Sequence, residues 1–309
     1  MTLKIIYIYF DLPGAPYPGW EFRVSELLAD LGHEVYVIPR HRCIYEKKIP
    51  IPPKADLIYV SNPMAVDIGW KIKEQLKTPL VVNFLDIPNE LFGSETWRIN
   101  EYQKIKPYCT EANLLTAISE TTAKDVEKWL GKDCPPIKVN YIGVDLDVYK
   151  AFEPTTEDYI CGVVRGLAKQ KKHEEIITAV ELSKTKPKLQ LIFGNHSDPQ
   201  KAKVMSKCLF GLGMSTLEGF GVYTVEFAYY AKPFICRKLG VFEELYGDKL
   251  VYVDTVEEMA EKIDWLVQDV EARKKIGLNL QRHIQEKKLY LSEHALRLEK
   301  ILCNILETT

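Results

Sequence analysis

The 309-residue chain predicts an α/β protein built from two doubly wound, Rossmann-like domains. Two observations carry that prediction. Apolar runs alternate with segments of helical period along the whole length, and the alternation stops and restarts once, near the middle. Such alternation implies parallel strands joined by helical crossovers. The length agrees, since single domains usually hold about 100–150 residues.

In the first half, the apolar run from Lys4 to Phe10 suits a strand buried on both faces. A loop rich in Pro and Gly follows, Asp11 to Gly19. Val24, Leu27, Leu28 and Leu31 then fall at i, i+3, i+4 and i+7, the apolar stripe of a helix, and Gly32 stands at its C-terminal cap. Glu34 to Ile38 begins the second strand. Further strands are expected over Leu57 to Val60, Leu80 to Phe84, Leu114 to Ile118 and Ile137 to Ile142, with helices over Ala65 to Leu76 and Thr122 to Leu130.

Between Gly143 and Asp158, the segment Glu153-Pro154-Thr155-Thr156 breaks any regular pattern and marks a linker. The second half restarts with a strand Tyr159 to Val164, a helix Glu174 to Ser183 and a strand Leu189 to Phe193. A helix around Val222 to Tyr230 and strands Pro233 to Cys236 and Leu250 to Val253 follow. Thr255 and Glu258 form a capping box for a helix with Met259, Ile263, Leu266 and Val267 on one face. Ala295, Leu298, Leu302 and Ile305 make one stripe of a last helix over Ser292 to Leu306. In sheets of this kind, ligands sit beyond the carboxyl ends of the strands.

Composition removes several function classes. With 41 basic against 43 acidic residues the net charge is −2, so nucleic acid is not an expected partner. The basic clusters Arg40-His41-Arg42 and Lys169 to Lys172 read as solvated surface. Seven cysteines, with no C-x-x-C pair, support neither a disulfide framework nor a structural zinc, and fit a reducing cytoplasm. The N-terminal apolar run is too short for a signal peptide, and no window approaches about 18 uninterrupted apolar residues. The histidines form no H-E-x-x-H arrangement, and no G-x-S-x-G elbow occurs, so a zinc enzyme and a hydrolase triad are unsupported.

Chemistry concentrates in Ser215 to Glu226. Gly219-Phe220-Gly221 precedes a predicted helix, so backbone N–H groups can approach a phosphate while the helix N-terminus adds positive potential. Glu218 and Glu226 stand eight positions apart, one before the turn and one in the helix. A carboxylate there can accept from two ribose hydroxyls, at roughly 1.5–3 kcal/mol per charge-assisted bond. The same residues also fit a plain Gly-rich turn leading into a core helix.

A resemblance separates the two readings. Glu218 to Glu226 resembles the E-x7-E element of retaining GT-B glycosyltransferases, especially glycosyltransferase family 4. Ala231-Lys232-Pro233-Phe234-Ile235 and Gly240-Val241-Phe242-Glu243-Glu244-Leu245 are similar to that family's "G-x-P-V-I … G-G-x-x-E-L" continuation. Leu115 to Thr122 resembles its "a-V-S-x-x-t" strand, Ile142 to Asp147 its "N-G-V-D" turn, and Arg165 to Glu174 its "G-R-L-x-x-x-K" segment. His33 matches the structural "G-H-x-V" turn. The likeness covers the chain from the linker onward and extends weakly into the first half.

The resemblance implies a GT-B arrangement, with an acceptor-side domain over 1–148 and a nucleotide-sugar domain over 149–289. A C-terminal helix over 290–309 would pack back on the first domain. It implies retaining transfer of a hexosyl-type sugar from a UDP- or GDP-linked donor to a hydroxyl acceptor across the cleft, with no metal and no other cofactor. Glu226 would bind the ribose diol and Glu218 the donor sugar or its phosphates. Gly219, Phe220 and Gly221 would offer amides to the same groups, and Arg165 with Lys171 would neutralise the leaving pyrophosphate. Gly19 or Glu21 would face the acceptor, a glycan, a lipid-linked sugar or a small molecule; a rigid connector is the other reading of that loop. Basic residues from Arg40 to Lys48 permit peripheral contact with a membrane.

The chain departs from the family pattern in four places. Arg165 precedes Lys171 by six positions instead of five, which keeps Lys169 a candidate. Only 26 residues run from Gly194 to Gly219, where the family usually has a further strand and helix that shape the base pocket. Phe84-Leu85-Asp86 lacks the histidine of the family's His-Asp pair; Asp86 reads equally as a site residue and as a cap of the next turn. Lys238 stands near a usual Asp or Asn. Asp145-Leu146-Asp147 matches a D-x-D metal motif, but its place in the linker makes it a turn. Rival readings are a sugar-nucleotide epimerase or phosphorylase on the same fold, and a non-catalytic nucleotide-sugar binder.

Overall fold

The computed structural model describes residues 1–10, 19–46, 49–88, 96–164, 169–193 and 196–308. The loop Pro13 to Pro18, the basic residues Lys47 and Lys48, and Gly194-Asn195 lie outside them. The chain divides into two compact units, one comprising Met1–Pro88, Trp97–Ile142 and Leu291–Thr309, the other built on Gly143–Tyr290.

The first unit contains strands β1 (Lys4–Tyr9), β2 (Glu34–Pro39), β3 (Leu57–Val60), β4 (Leu80–Phe84), β5 (Leu114–Ala117) and β6 (Ile137–Val139). Its helices are α1 (Trp20–Asp30), α2 (Arg40–Glu46), α3 (Val66–Leu76), α4 (Thr96–Thr110) and α5 (Glu120–Leu130). The second unit contains β7 (Ile160–Val163), β8 (Leu189–Ile192), β9 (Gly211–Gly213), β10 (Phe234–Arg237) and β11 (Val251–Val253). Its helices are α6 (Leu146–Tyr149), α7 (His173–Leu182), α8 (Asp198–Met205), α9 (Val222–Tyr229), α10 (Gly240–Tyr246), α11 (Val256–Gln268) and α12 (Val270–Glu286). The chain then returns to the first unit as α13 (Leu291–Thr308).

Both sheets are parallel, in the orders β2-β1-β3-β4-β5-β6 and β11-β10-β9-β7-β8. Alternation along the first sheet sorts its side chains to two covered faces. Ile6, Ile8, Ile58, Val60, Val82 and Phe84 form one core with Ile68 and Ile72 of α3 and Val126 of α5. Leu3, Ile5, Tyr7, Leu57, Tyr59 and Val81 form the other with Val24 and Leu28 of α1 and Leu291, Leu298 and Leu302 of α13. In the second unit, Ile160, Leu212 and Ile235 pack on Ile176 of α7 and on Met259, Ile263 and Leu266 of α11.

Several elements differ from the sequence-based expectation. β6 stops at Val139 instead of Ile142, because Asn140 and Tyr141 turn aside to α13. Asn140 Nδ2 donates to the His294 carbonyl at 3.2 Å, and Arg297 donates to Asn140 Oδ1 and the Tyr141 carbonyl at 3.2 and 2.7 Å. The basic cluster at Arg40 belongs to α2. The 26-residue stretch left without elements holds α8 and β9. Asp145 and Asp147 form a cap: Asp145 accepts from the Asp147 amide at 3.1 Å at the start of α6, and Asp147 pairs with Lys150 at 2.5 Å. Among the described residues no helix is long and apolar enough to cross a membrane, and no group of three or more His, Cys, Asp or Glu could hold a metal.

Candidate functional site

In the second unit β8 lies on one side of β7 and β9 on the other, so the direction of winding reverses between β7 and β9. Such a reversal opens a crevice at the carboxyl edge of an open α/β sheet. Two segments leave the sheet there, and they are tied together: the Thr216 amide donates to the Gln170 carbonyl at 2.8 Å. Lys171 Nζ lies 2.5 Å from Glu218 Oε1, with each side chain 10% exposed. The Tyr223 hydroxyl donates to the same oxygen at 2.7 Å, and the lysine ammonium stands 5.1 Å from the Tyr223 ring centroid. Burial, then the Glu218 charge, push the Tyr223 phenol far above its ordinary range, so it remains an O–H donor. Lys169 is exposed, and it is Lys171 that reaches Glu218.

Gly219-Phe220-Gly221 leads directly into α9. Gly221 is its N-cap, at φ +74°, and a Cβ there would lie 2.4 Å from Cε1 of Phe242. Left-handed backbone and close packing both demand glycine at this point. Phe220 is buried at 2% exposure, which commits its ring to the core and only its main chain to the turn. Positive potential at the start of α9 therefore meets the Lys171–Glu218–Tyr223 cluster.

Glu226, in the middle of α9, has a different environment. It is 4% exposed, and Lys201 Nζ of α8 lies 3.2 Å from its Oε1 and 2.6 Å from Asp198. Burial opposes the Lys201 charge, but Glu226 and Asp198 outweigh it and hold the ammonium above the ordinary lysine range. Burial and then the Glu226 and Asp198 charges raise the Tyr149 phenol well above its usual value. Lys201 is a residue that sequence reasoning missed, because α8 was missed. Its start was readable: Ser197 and Gln200 form a capping box, with the Ser197 amide donating to Gln200 Oε1 at 2.8 Å.

The other sequence-predicted residues distribute as follows. Arg165 lies outside the described residues. Gly19 is the exposed N-cap of α1 at φ −63°, with nothing among the described residues within 4 Å of an added Cβ, so its conformation does not call for glycine. Asp86, just beyond β4, accepts from Arg98 of α4 at 2.8 Å, and its carbonyl accepts from the Tyr102 hydroxyl at 3.2 Å. The first sheet also reverses, between β1 and β3. At that point Glu21 accepts from Ser61 Oγ at 2.6 Å and from Asn62 Nδ2 at 3.4 Å.

No family model matches the chain, and no curated protein sequence matches it. Solved structures do. A sucrose-phosphate synthase from Thermosynechococcus elongatus superposes with a TM-score of 0.76 at 14% identity, covering 99% of this chain and 100% of that one. HepE from Anabaena, solved with UDP-glucose, gives 0.71 at 16% identity over 97% and 99% of the two chains. TarM from S. aureus, in complex with fondaparinux, α-GlcNAc-glycerol and UDP, gives 0.66 at 17% identity over 84% and 58%. The fold is GT-B. In this GT-B chain each sheet has one such reversal point, between β7 and β9 and between β1 and β3.

Proposed function

We propose that the protein transfers a sugar from a nucleotide diphosphate donor to a hydroxyl acceptor, with retention and without a catalytic metal. The observation that carries this reading is the Lys171–Glu218–Tyr223 cluster, set at the reversal point of the second sheet before the glycine-flanked start of α9. UDP, glucose and UDP-glucose in the HepE structures, and UDP in TarM, favour a uridine donor.

In this reading the bond between the anomeric carbon and the pyrophosphate oxygen breaks as the acceptor oxygen bonds to the same face. The acceptor proton passes to the leaving phosphate, and the nucleoside diphosphate departs. Charge on that leaving group is the main electrostatic demand, and a fixed ammonium meets it. Lys171 would supply the ammonium, and the family resemblance implies Arg165 as a second cation for the same charge. Glu218, aligned by Tyr223, would take donor sugar hydroxyls. Glu226, held in orientation by Lys201, would take the ribose diol. The first unit would hold the acceptor.

Thermal unfolding with UDP, GDP and ADP and their sugars, each with magnesium and with a chelator, tests the reading. A ligand at 100 times its Kd adds about 2.7 kcal/mol. We expect a shift with the uridine ligands that the chelator leaves intact. A shift that vanishes with chelator overturns metal independence, and no shift with any nucleotide overturns the donor site. Binding without transfer or donor hydrolysis across a broad acceptor panel would make the protein a nucleotide-sugar binder.

A further inference from the structure

The end of α9 borders a cavity of about 240 Å³ that the donor chemistry does not use. α9 starts at the carboxyl edge of the second sheet and runs back about 12 Å over its eight residues. Tyr229, its last residue, and Tyr230, its C-cap, therefore lie towards the amino edge, where the chain turns into β10. The segment after α6, the last two turns of α12 and Tyr290 supply the other walls, all within the second unit. These walls are held in place. The Tyr230 hydroxyl donates to the Tyr149 carbonyl at 2.8 Å, and Gln281 Nε2 donates to the Tyr229 carbonyl at 2.6 Å. Beside Tyr290, the Val144 amide donates to the Leu289 carbonyl at 3.1 Å. Gly143 permits that approach, since a Cβ there would lie 2.1 Å from the same carbonyl oxygen.

Four polar groups on the walls are unpaired among the described residues. Tyr229 and Tyr290 are half-buried, and neither hydroxyl has a hydrogen-bond partner. Burial, then the Glu153 charge, raise the Tyr229 phenol against the pull of Lys150; burial, then Tyr229, raise that of Tyr290. Both remain O–H donors at neutral pH. The exposed Glu153 carboxylate and Gln285 amide add acceptors and a further donor. Lys150 lines the cavity too, but Asp147 holds its ammonium at 2.5 Å. With one cation and one carboxylate the lining favours a neutral ligand. Phe152 and the fully buried Ile284 are apolar. Tyr229 and Tyr230 meet at 77°, which makes a corner and not the parallel slot that takes a flat base.

We propose that this cavity is a second carbohydrate site, which takes one neutral pyranose, as a free sugar or as the end of a glycan. Each pyranose hydroxyl both donates and accepts, which matches a lining that offers both kinds of group. The C–H face of the ring suits the aromatic corner, the combination of apolar wall and few placed polar groups that defines a small-molecule site. The volume lies below the roughly 300–1,000 Å³ of sites for drug-sized ligands, and so fits a single ring. The site stands apart from the transfer reading, because Lys171 and Glu218 lie at the opposite edge of the sheet.

NMR on the full chain with ¹⁵N-labelled tyrosine tests it, the Tyr229 and Tyr290 amide signals being assigned by their loss in Tyr229→Phe and Tyr290→Phe. Methyl glycosides of glucose, galactose, mannose and N-acetylglucosamine serve as probes. At least one is expected to move both signals to saturation. Tyr229→Phe, followed through the Tyr290 signal, should weaken Kd about fivefold, as loss of one hydrogen bond does. Gln285→Trp, which fills the cavity from an exposed position, should abolish the response. Circular dichroism confirms that each variant is folded. Two signals that no glycoside moves, or a response that Gln285→Trp leaves unchanged, overturns the inference. Disaccharides separate the two sources: tighter binding than the monosaccharide supports a glycan end, and weaker binding supports a free sugar.

Discussion

Lys171 and Glu218 show what a single pair can decide. Each side chain is 10% exposed, so removing one partner strands a largely desolvated charge, at a cost of about 3 kcal/mol. Removing both leaves no such charge, and apolar replacements of similar volume are nearly neutral. Lys171→Met alone is therefore expected to lower stability by about 3 kcal/mol, whereas Lys171→Met with Glu218→Leu restores it to within about 1 kcal/mol. Neither variant should be stabilised by UDP. Urea unfolding with and without nucleotide measures both effects. A double variant that still responds to UDP would show that the pair is structural only. The pair is half legible from sequence: both residues stand in motifs, but the sequence leaves open whether Lys169 or Lys171 fills the lysine position, and only the structure shows Lys171 buried against Glu218 while Lys169 is exposed.

At the scale of elements, legibility followed side-chain volume. β3 and β4 are unbroken runs of large apolar residues, and their bounds were readable to the residue. β9 is Gly211-Leu212-Gly213, with too little apolar volume to register, yet it is central to its sheet. Its glycines are required because a Cβ at Gly211 would lie 2.5 Å from the Phe234 ring and 2.7 Å from the Phe227 ring. α4 carries a proline at Pro107 and α12 is mostly polar, so neither shows a wide apolar stripe. With α4 unread, the Arg98 partner of Asp86 was invisible as well.

The helix α13 carries a pH response. His294 is fully buried; its Nδ1 lies 3.1 Å from the Tyr141 carbonyl, and its Nε2 has no partner among the described residues. Burial, aided by the Arg297 charge, lowers its pKa from 6.5 to about 4, against the opposing pull of nearby carbonyls. Folded His294 thus stays neutral where the unfolded chain takes up a proton. Its contribution is fully present above pH 6.5 and is lost as pH falls from 6.5 towards 4, by about 3 kcal/mol in all. Denaturant midpoints across that window should fall in wild type and fall less in His294→Gln; equal slopes would remove His294 as the cause.

At the scale of the molecule, the first unit is discontinuous in sequence and depends on α13. Leu291, Leu298 and Leu302 are each at most 1% exposed in its core. Full burial of three such side chains contributes about 5–9 kcal/mol, comparable with the roughly 5–15 kcal/mol that holds a whole domain. Deleting residues 291–309 should unfold the first unit and leave the second intact, so that limited proteolysis digests residues 1–142 and preserves a fragment near 143–290. Survival of the first half in that digest would show that its sheet does not need the helix. The same connectivity sets a timetable for synthesis. A ribosome releases all six strands of the first sheet, then the entire second unit, and only then the helix that covers Leu3, Ile5, Tyr7 and Leu57. The half of the protein made first is the half completed last, and its sheet face, covered until then by α1 alone, leaves apolar surface open to neighbouring nascent chains throughout the interval.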